Sequence, residues 1–467
     1  MQARGILIPQ PREGNNMEKH TLTKGNVSKG ILLFVLPIIA GSLIQQLYVT
    51  IDAVVVGQFT GKLGLAAIDS VHTLFKFPLN FMNGLATGAT ILISGHCGSG
   101  DERQMHCSIR TACTVAVILG VVCSVGGVIL TPWMLQIMSV PDEVYGRAFV
   151  YTTIYFGGIW SMILYNMTAG ILRAYGDSKR PLYVLVCCAV INIFGDLLLV
   201  GVLNMGVAGA ALATVFSQIV SVVVIFSMLK KVLHVEKGEK PLWWPHFCKE
   251  HMQQMLHMGF PLALQSMLFP IANTIVQAGV NTMGTDQIAA WGICDKLNML
   301  IWLLSDSMGP ALTTFTAQNL GAKNKERIRK GVFVGTAMSA GAVIMVSIIL
   351  FVGAAFMTPW FVSAQDAATL APLVGAYARM MAPFFLFYAI AEALSGACCG
   401  TGDTIRPMIT TLISICLLRV IGVLFILPVY ETMECIVVIY IASWIAAGMA
   451  FLGLWKWNSS KLWYSKM

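Results

Sequence analysis

The chain has 467 residues, of which 57% are hydrophobic and only 11% are charged. A soluble domain carries about 25% charged residues, so this composition excludes an ordinary soluble protein and predicts an integral membrane protein. The net charge of +8 does not require a nucleic-acid partner, because basic residues beside a membrane face anionic lipid headgroups.

Twelve apolar windows follow one another along the chain. Each has about 20 or more residues, which is enough to cross about 30 Å of hydrocarbon as a helix. A closed β-barrel would alternate polar and apolar residues, and these windows do not, so we predict an all-α fold. The predicted spans are 31–58, 65–95, 108–131, 142–170, 181–203, 207–230, 258–282, 287–317, 331–357, 367–398, 407–428 and 433–455.

Basic residues are distributed unevenly among the loops between these spans. When both termini are assigned to the cytosol, most of the 30 Lys and Arg residues lie on the cytosolic side, and only Lys62 and Arg147 lie outside. The positive-inside rule therefore predicts a multi-pass protein of the cell membrane with cytosolic tails at 1–30 and 456–467. The first tail has no apolar run long enough for a cleaved signal peptide.

The sequence contains an internal repeat. The segments GILRAYGDSKRP at 170–181 and GACCGTGDTIRP at 396–407 share the frame G-x5-GD-[ST]-x-RP at an offset of 226 residues. Turn residues such as GD and RP are common singly, but their spacing and their position after the fourth span of each half recur together. The weaker echoes pair Leu36-Pro37 with Phe260-Pro261, and 94–98 with 317–321.

The repeat predicts two halves of six spans each. These are an N-lobe at 31–230 and a C-lobe at 258–455, joined by a basic cytosolic linker at 231–257. Because six is even, both halves enter the membrane in the same direction, which makes the repeats parallel. Two lobes facing a cleft are a common plan for transporters that work by alternating access. A duplicated scaffold or a channel is the alternative.

Polar residues lie at one depth in the predicted N-lobe. Asp52 and Asp196 lie about two turns from the outer ends of their spans, and Thr214 lies at the same level. Asn192 precedes Asp196 by four residues and shares its helix face. Inserting a carboxylate at mid-bilayer costs ~2.5–3.5 kcal/mol of free energy, so acids at this depth indicate a function. We therefore predict that the oxygens of these four residues form a cage that holds a shared proton or a sodium ion. The alternative is that these residues only hydrogen-bond neighbouring helices together.

The predicted C-lobe carries acids of its own, Asp306 and Glu392. They either attract a cationic substrate into the cleft or pair with Arg379 and Lys296. Aromatic rings bind flat cations through cation–π contacts, although most aromatic residues in so apolar a bundle are packing residues. The aromatic candidates for the cleft are Trp160, Tyr165, Trp302 and Tyr388.

The twelve cysteines lack the paired spacing of a metal centre. We therefore interpret them as small, reduced core residues and predict no metal ion other than sodium at the N-lobe cage.

Several segments resemble the multidrug and toxic compound extrusion (MATE) family. They are FVLPIIAGSLIQQLYVTIDAVVVGQFTG in the first span, the two repeated turns, and GVAGAALATVFSQ at 206–218, and the similarity covers about residues 25–455. The resemblance implies an exporter of organic cations, driven by inward flow of H+ or Na+, with two lobes arranged as a V. It also implies that the family's ion site corresponds to Asp52, Asn192, Asp196 and Thr214. Some branches carry a Glu in helix seven, which the segment 259–284 lacks.

The nearest alternative function is that of a flippase for a lipid-linked oligosaccharide or a related lipid, whose fold is similar. Such an anionic cargo favours a basic cleft, whereas the predicted spans hold more acids than bases. A membrane-embedded enzyme is less favoured, because no HExxH motif is present. We therefore expect an antiporter rather than an enzyme, monomeric, with small organic cations and the bilayer as partners and no organic cofactor.

Overall fold

The computed structural model describes residues 22–233 and 248–464, with side chains described as far as residue 461. Most of the predicted N-terminal tail and of the predicted linker therefore lies outside the described residues. All regular secondary structure within the described ranges is helical, which confirms the all-α prediction.

Six spans make up the N-lobe. Helix α1 (Val27–Ser99) contains two of them, because the helix is broken at Gly61, where φ is 67°. Positive φ strains residues that carry a Cβ, so glycine suits this break. The first arm of α1 covers 27–60 and the second covers 62–99. The other helices are α2 (Glu102–Ile137), α3 (Asp142–Ala174), α4 (Lys179–Asp196) and α5 (Gly206–Val232).

The C-lobe contains the remaining six spans, which confirms the twelve-span prediction. Two of these spans are composite, one formed by α9 and α10 and one by α11, α12 and α13. The helix α6 begins before its predicted span, so residues 249–257 are helical. The helices are α6 (Lys249–Val280), α7 (Thr285–Gly321), α8 (Lys325–Met357), α9 (Ala364–Met381), α10 (Phe385–Gly400), α11 (Ile405–Thr411), α12 (Leu418–Ile421), α13 (Leu427–Tyr430) and α14 (Met433–Tyr464).

The repeated GD-[ST]-x-RP frame forms the same local structure in both lobes. Its glycine adopts a left-handed backbone, with φ of 83° at Gly176 and 87° at Gly402. The following aspartate accepts a hydrogen bond from the backbone N–H of the arginine three residues later. It also pairs with that arginine's guanidinium, at 2.7 Å in the first copy and 2.9 Å in the second. The frame is therefore a helix-start motif used twice.

Both lobes contain π-helical segments in the span that follows this motif. In the N-lobe the segment Leu197–Val202 directly follows Asp196. In the C-lobe the segments are Leu412–Leu417 and Gly422–Ile426. The repeat offset aligns the N-lobe segment with the second of these. π turns inside α-helices are frequent at functional sites. The π-helical segment that adjoins Asp196 therefore favours a functional role for that residue.

The lobes touch through another pair of repeated segments. A Cβ added to Gly98 would lie 1.9 Å from the carbonyl oxygen of Gln318, and one added to Gly321 would lie 2.0 Å from that of Gly95. The segments 94–98 and 317–321, which echo each other in sequence, thus pack directly together. Glycine is required because only its missing side chain permits this backbone approach.

The end of the bundle where this contact lies is rich in basic residues, and we call it the basic end. It carries Lys24, Arg103, Arg180, Lys249, Arg327 and Arg406. Arg327 donates to the carbonyl oxygens of Leu22, Lys24 and Gly25 at 3.0, 2.8 and 2.7 Å. Gln318 joins the lobes by accepting from the Leu22 N–H at 2.8 Å and donating to the Ala174 carbonyl at 2.7 Å. The lobes are therefore closed together at the basic end.

Replacing Gly98 with alanine should destabilise this closed arrangement. The new methyl group overlaps backbone, which costs about 1–3 kcal/mol in a packed interior. Thermal unfolding of the purified protein in detergent should show a lower Tm for Gly98→Ala. The matched control is Gly126→Ala, where an added Cβ meets nothing within 4 Å. Equal Tm values for the two variants would contradict this close contact.

Candidate functional site

Two acidic side chains meet inside the N-lobe. Asp52 lies on the first arm of α1, and Asp196 is the last residue of α4. Their carboxyl groups lie close enough to interact electrostatically with each other. Asp196 is completely buried, with 0% of its surface exposed. Two carboxylates in this position repel each other unless a proton or another cation lies between them.

The other two predicted residues complete the group. Asn192 is buried, and its side-chain Nδ2 donates to the Oγ1 of Thr214 at 3.4 Å. Among the described residues no donor reaches Asp52 Oδ1, Asn192 Oδ1 or either carboxylate oxygen of Asp196. The structure thus brings all four residues together, and we call them the N-lobe carboxyl site. Its buried oxygens can accept a proton or bind a small hard cation.

Three tyrosines beside this site were not predicted from the sequence. Tyr48, Tyr151 and Tyr155 lie close enough to interact electrostatically with Asp52. The rings of Tyr151 and Tyr155 stack at 5.9 Å. The sequence spacing could have indicated these tyrosines. Tyr48 precedes Asp52 by four residues and Tyr151 precedes Tyr155 by four, which places each pair on one helix face.

A cavity of about 380 Å³ lies between the lobes. It contains one acid, Asp306 on α7, and one base, Arg173 near the end of α3. The predicted span 142–170 ends before Arg173, so this residue was not predicted to line the cavity. The helix continues beyond the apolar window, and hydropathy does not detect this extension. The other lining residues from the N-lobe are Ile38, Ser42, Gln46, Thr87 and Thr90.

A second cavity of about 230 Å³ lies within the C-lobe and shares Asp306 and Trp302 with the first. The Tyr388 hydroxyl donates to Asp306 Oδ1 at 2.8 Å. The Tyr388 and Trp302 rings are 4.9 Å apart and nearly perpendicular. Glu392 lies one helical turn beyond Tyr388 and interacts electrostatically with Asp306. These four predicted residues therefore form one group.

The same cavity is also lined by an arginine of the C-lobe, Arg419. Arg419 is 2% exposed. Its guanidinium donates to Ser443 Oγ at 2.9 Å and Asn273 Oδ1 at 3.1 Å, and lies 4.0 Å from the Tyr440 ring centroid. A buried cation is thus satisfied by neutral groups. Within the described chain no ion pair joins Asp306 or Glu392 to Lys296 or Arg379, and Lys296 lies over the Phe361 ring instead.

Two of the aromatic candidates lie elsewhere. The backbone N–H of Trp160 donates to Ser124 Oγ at 3.3 Å, and the hydroxyl of Tyr165 donates to the Pro181 carbonyl at 3.1 Å. Both side chains pack against the N-lobe core. Neither lines the two cavities described above.

Twelve apolar spans, two related lobes and buried acids beside a central cavity define a multi-span membrane protein with the architecture of a secondary transporter. The sequence model of the MatE family matches the chain twice, over residues 37–198 and 261–424. The chain therefore belongs to the MatE family. The two matches begin 224 residues apart, in agreement with the repeat found in the sequence.

Individual relatives agree with this assignment. The chain is 27% identical over 421 residues to the probable multidrug resistance protein YoeA of Bacillus subtilis (strain 168), covering 88% of this chain and 89% of the relative. It is 23% identical over 399 residues to the probable multidrug resistance protein NorM of Thermotoga maritima, covering 83% of each. A crystal structure of a MATE protein in the bent conformation superposes with a TM-score of 0.87 at 20% identity, covering 96% of this chain and 99% of that one. These relatives carry the names of transporters and resistance proteins, which agrees with the expectation that the chain is not an enzyme.

Replacing Asp196 with asparagine should stabilise the protein in alkaline buffer. There the two native carboxylates repel each other, whereas an amide at residue 196 donates to Asp52. Removing an unsatisfied buried group is worth about 1–3 kcal/mol. The Tm of Asp196→Asn should therefore exceed that of the native protein at alkaline pH and fall less as pH rises. The control Asp286→Asn changes an exposed acid at the start of α7. If Asp196→Asn melts like this control at every pH, the opposed carboxyl groups do not interact.

Proposed function

We propose that the protein is a secondary antiporter that exports small organic cations in exchange for H+ or Na+. The observation that carries this proposal is the N-lobe carboxyl site, where buried acceptor oxygens face one another without a donor. A site of this kind needs a small cation to be stable. The names of the relatives, which are multidrug resistance proteins, support the export of drug-like cargo.

The coupling ion is a proton or a sodium ion. A proton shared between Asp52 and Asp196 satisfies two facing acceptors with one hydrogen bond. A sodium ion would use the same carboxylates together with the oxygens of Asn192 and Thr214, because hard cations prefer oxygen ligands. Both ions neutralise the site, and neither requires an organic cofactor.

The first arm of α1 connects the site to the inter-lobe cavity. Ile38, Ser42 and Gln46 line the cavity, and Asp52 follows six residues after Gln46. This spacing corresponds to about 9 Å along a helix. A change in the packing of Asp52 on ion binding therefore reaches the cavity through one rigid element. Exchange follows if the ion and the cargo favour different arrangements of this arm.

The cavity groups favour a cationic cargo. Asp306 supplies negative charge, and the rings of Trp302 and Tyr388 supply aromatic faces for a flat cation. Arg173 on the opposite wall favours an anionic cargo instead, such as the lipid-linked oligosaccharide of a flippase. We favour the cation, because Asp295 also lines the C-lobe cavity and Glu392 lies near Asp306, whereas the guanidinium of Arg419 already donates to Ser443 and Asn273.

We further propose that the protein acts as a monomer in the cell membrane with its basic end towards the cytosol. Arg103, Arg180, Arg327 and Arg406 at this end would then face anionic headgroups. Both termini would be cytosolic, and cargo would leave at the opposite end.

Neutralising either carboxyl of the N-lobe site should abolish coupled transport. Asp52→Asn and Asp196→Asn each remove a carboxylate that must bind and release a proton or a sodium ion in every cycle. Efflux of a cationic dye from proteoliposomes should be measured under a pH gradient and, separately, a sodium gradient. The control Asp286→Asn should transport normally, and the gradient that drives it identifies the ion. Ion-dependent efflux retained by both site variants would refute the proposed role.

The sign of the cargo can be tested by changing the charges of the cavity. For a cationic dye, Asp306→Asn should raise KM about tenfold, equivalent to about 1.4 kcal/mol. Arg173→Gln should lower KM or leave it unchanged. The control Glu434→Gln alters an exposed acid at the start of α14. The reverse pattern, with transport of anionic dyes impaired by Arg173→Gln, would favour the flippase-like alternative.

A further inference from the structure

Two cysteines and a histidine converge at the basic end. Cys107 lies on α2, Cys248 immediately precedes α6, and His251 lies in the first turn of α6. One ligand atom from each residue lies within 4.8 Å of the other two. The helix α2 belongs to the N-lobe, whereas α6 opens the C-lobe. The cluster therefore bridges the two lobes at the end where they are closed together.

The histidine is held in a fixed orientation. His251 is 4% exposed. Its Nε2 lies 2.7 Å from Gln104 Oε1, and its Nδ1 lies 2.6 Å from Ser108 Oγ. Because an amide oxygen only accepts, Nε2 carries the hydrogen and Nδ1 keeps a lone pair that the Ser108 hydroxyl now satisfies. The His96 ring stacks on the imidazole, with centroids 5.4 Å apart and planes 17° apart.

This arrangement resembles the environment of a metal-binding histidine. Such a residue usually donates its second ring N–H to an oxygen acceptor, which fixes the ring and leaves the other nitrogen for the metal. Gln104 is that acceptor here. Nδ1 would then be the nitrogen available to a metal ion, in place of its hydrogen bond with the Ser108 hydroxyl.

The chemistry of the three ligands selects a particular class of metal ion. Two thiolates and one imidazole suit a thiophilic ion such as Zn²⁺, which binds sulfur at about 2.3 Å and nitrogen at about 2.0 Å. Hard ions such as Mg²⁺ and Ca²⁺ prefer oxygen ligands. A tetrahedral ion brings its ligand atoms to about 3.5–4 Å from one another, so the cluster needs only a small contraction. Water can take the fourth position.

We propose that Cys107, Cys248 and His251 form a binding site for a thiophilic metal ion of the Zn²⁺ class that ties the N-lobe to the C-lobe. The spacing of these residues in sequence does not indicate such a site, because Cys248 follows Cys107 by 141 positions. Bound metal holds the basic end closed. This consequence rests on the proposed function, since exchange by alternating access requires that end to open. Metal binding should therefore slow transport.

Metal binding can be tested without any transport assay. The untagged, reduced, full-length protein in detergent is titrated with Zn²⁺ against a chromophoric chelator, and with Cd²⁺ to observe the ultraviolet band of a thiolate–metal bond. We expect one ion per chain. Cys107→Ser, Cys248→Ser and the double variant should lose both the binding and the band. The matched control Cys187→Ser removes an exposed cysteine of α4 and should bind like the native protein.

A second variant distinguishes loss of metal binding from misfolding. Gln104→Ala leaves all three ligands in place but removes the acceptor that orients His251, so its affinity should fall about 10- to 100-fold. Native-like thermal unfolding of each variant shows that the fold is intact. Absence of binding by the native protein, or undiminished binding by the double cysteine variant, would overturn the proposal.

A transport experiment separates the two proposals. Zn²⁺ should inhibit dye efflux by the native protein, and a chelator should restore it, whereas Cys107→Ser should be insensitive. Native protein that binds metal but never transports would contradict the proposed function and leave the metal site standing. Native protein that transports but binds no metal would contradict the metal site alone.

Discussion

The electrostatic repulsion between two neighbouring carboxyl groups inside the N-lobe is the constraint on which the rest of the structure depends. Asp52 and Asp196 lie in predominantly apolar helices, and among the described residues no basic side chain pairs with them. Burial without a counter-charge is costly, whereas a proton or cation between the groups relieves it. The packing of α1 against α4 is therefore linked to the occupancy of the site. Such a linkage is what an ion-driven transporter requires.

The two lobes resemble each other more closely in backbone structure than in their buried polar side chains. Both lobes keep the helix-start motif and a π-helical segment in the following span. In the C-lobe, however, Arg419 is satisfied by neutral partners, and Asp306 accepts from Tyr388. Arg419 and Asp306 are thus hydrogen-bonded within their own cavity, whereas among the described residues no donor reaches Asp52 Oδ1 or either carboxylate oxygen of Asp196. This difference is the basis for proposing ion dependence in the N-lobe and cargo contacts at the C-lobe cavity.

Hydropathy and helix rise were sufficient to predict the spans and to place Asp52, Asn192, Asp196 and Thr214 at one level, and the repeated G-x5-GD-[ST]-x-RP frame was sufficient to predict the two halves. Depth along a helix depends only on the number of residues from the membrane surface. The direction of a side chain around the helix also depends on neighbouring helices. The sequence therefore could not separate Trp302, which lines both cavities, from Trp160, which packs within the N-lobe.

The first arm of α1 presents one face to the cavity and another to the N-lobe carboxyl site. Ile38, Ser42 and Gln46 recur every four residues and line the cavity between the lobes. Asp52 lies six residues beyond Gln46, which corresponds to about one and two-thirds helical turns, so it projects from a different face into its own lobe. A rotation or bend of the arm that improves the fit of Asp52 must therefore displace the cavity wall. An ion and a cargo that never touch can compete in this way, because each stabilises a different position of the same helix.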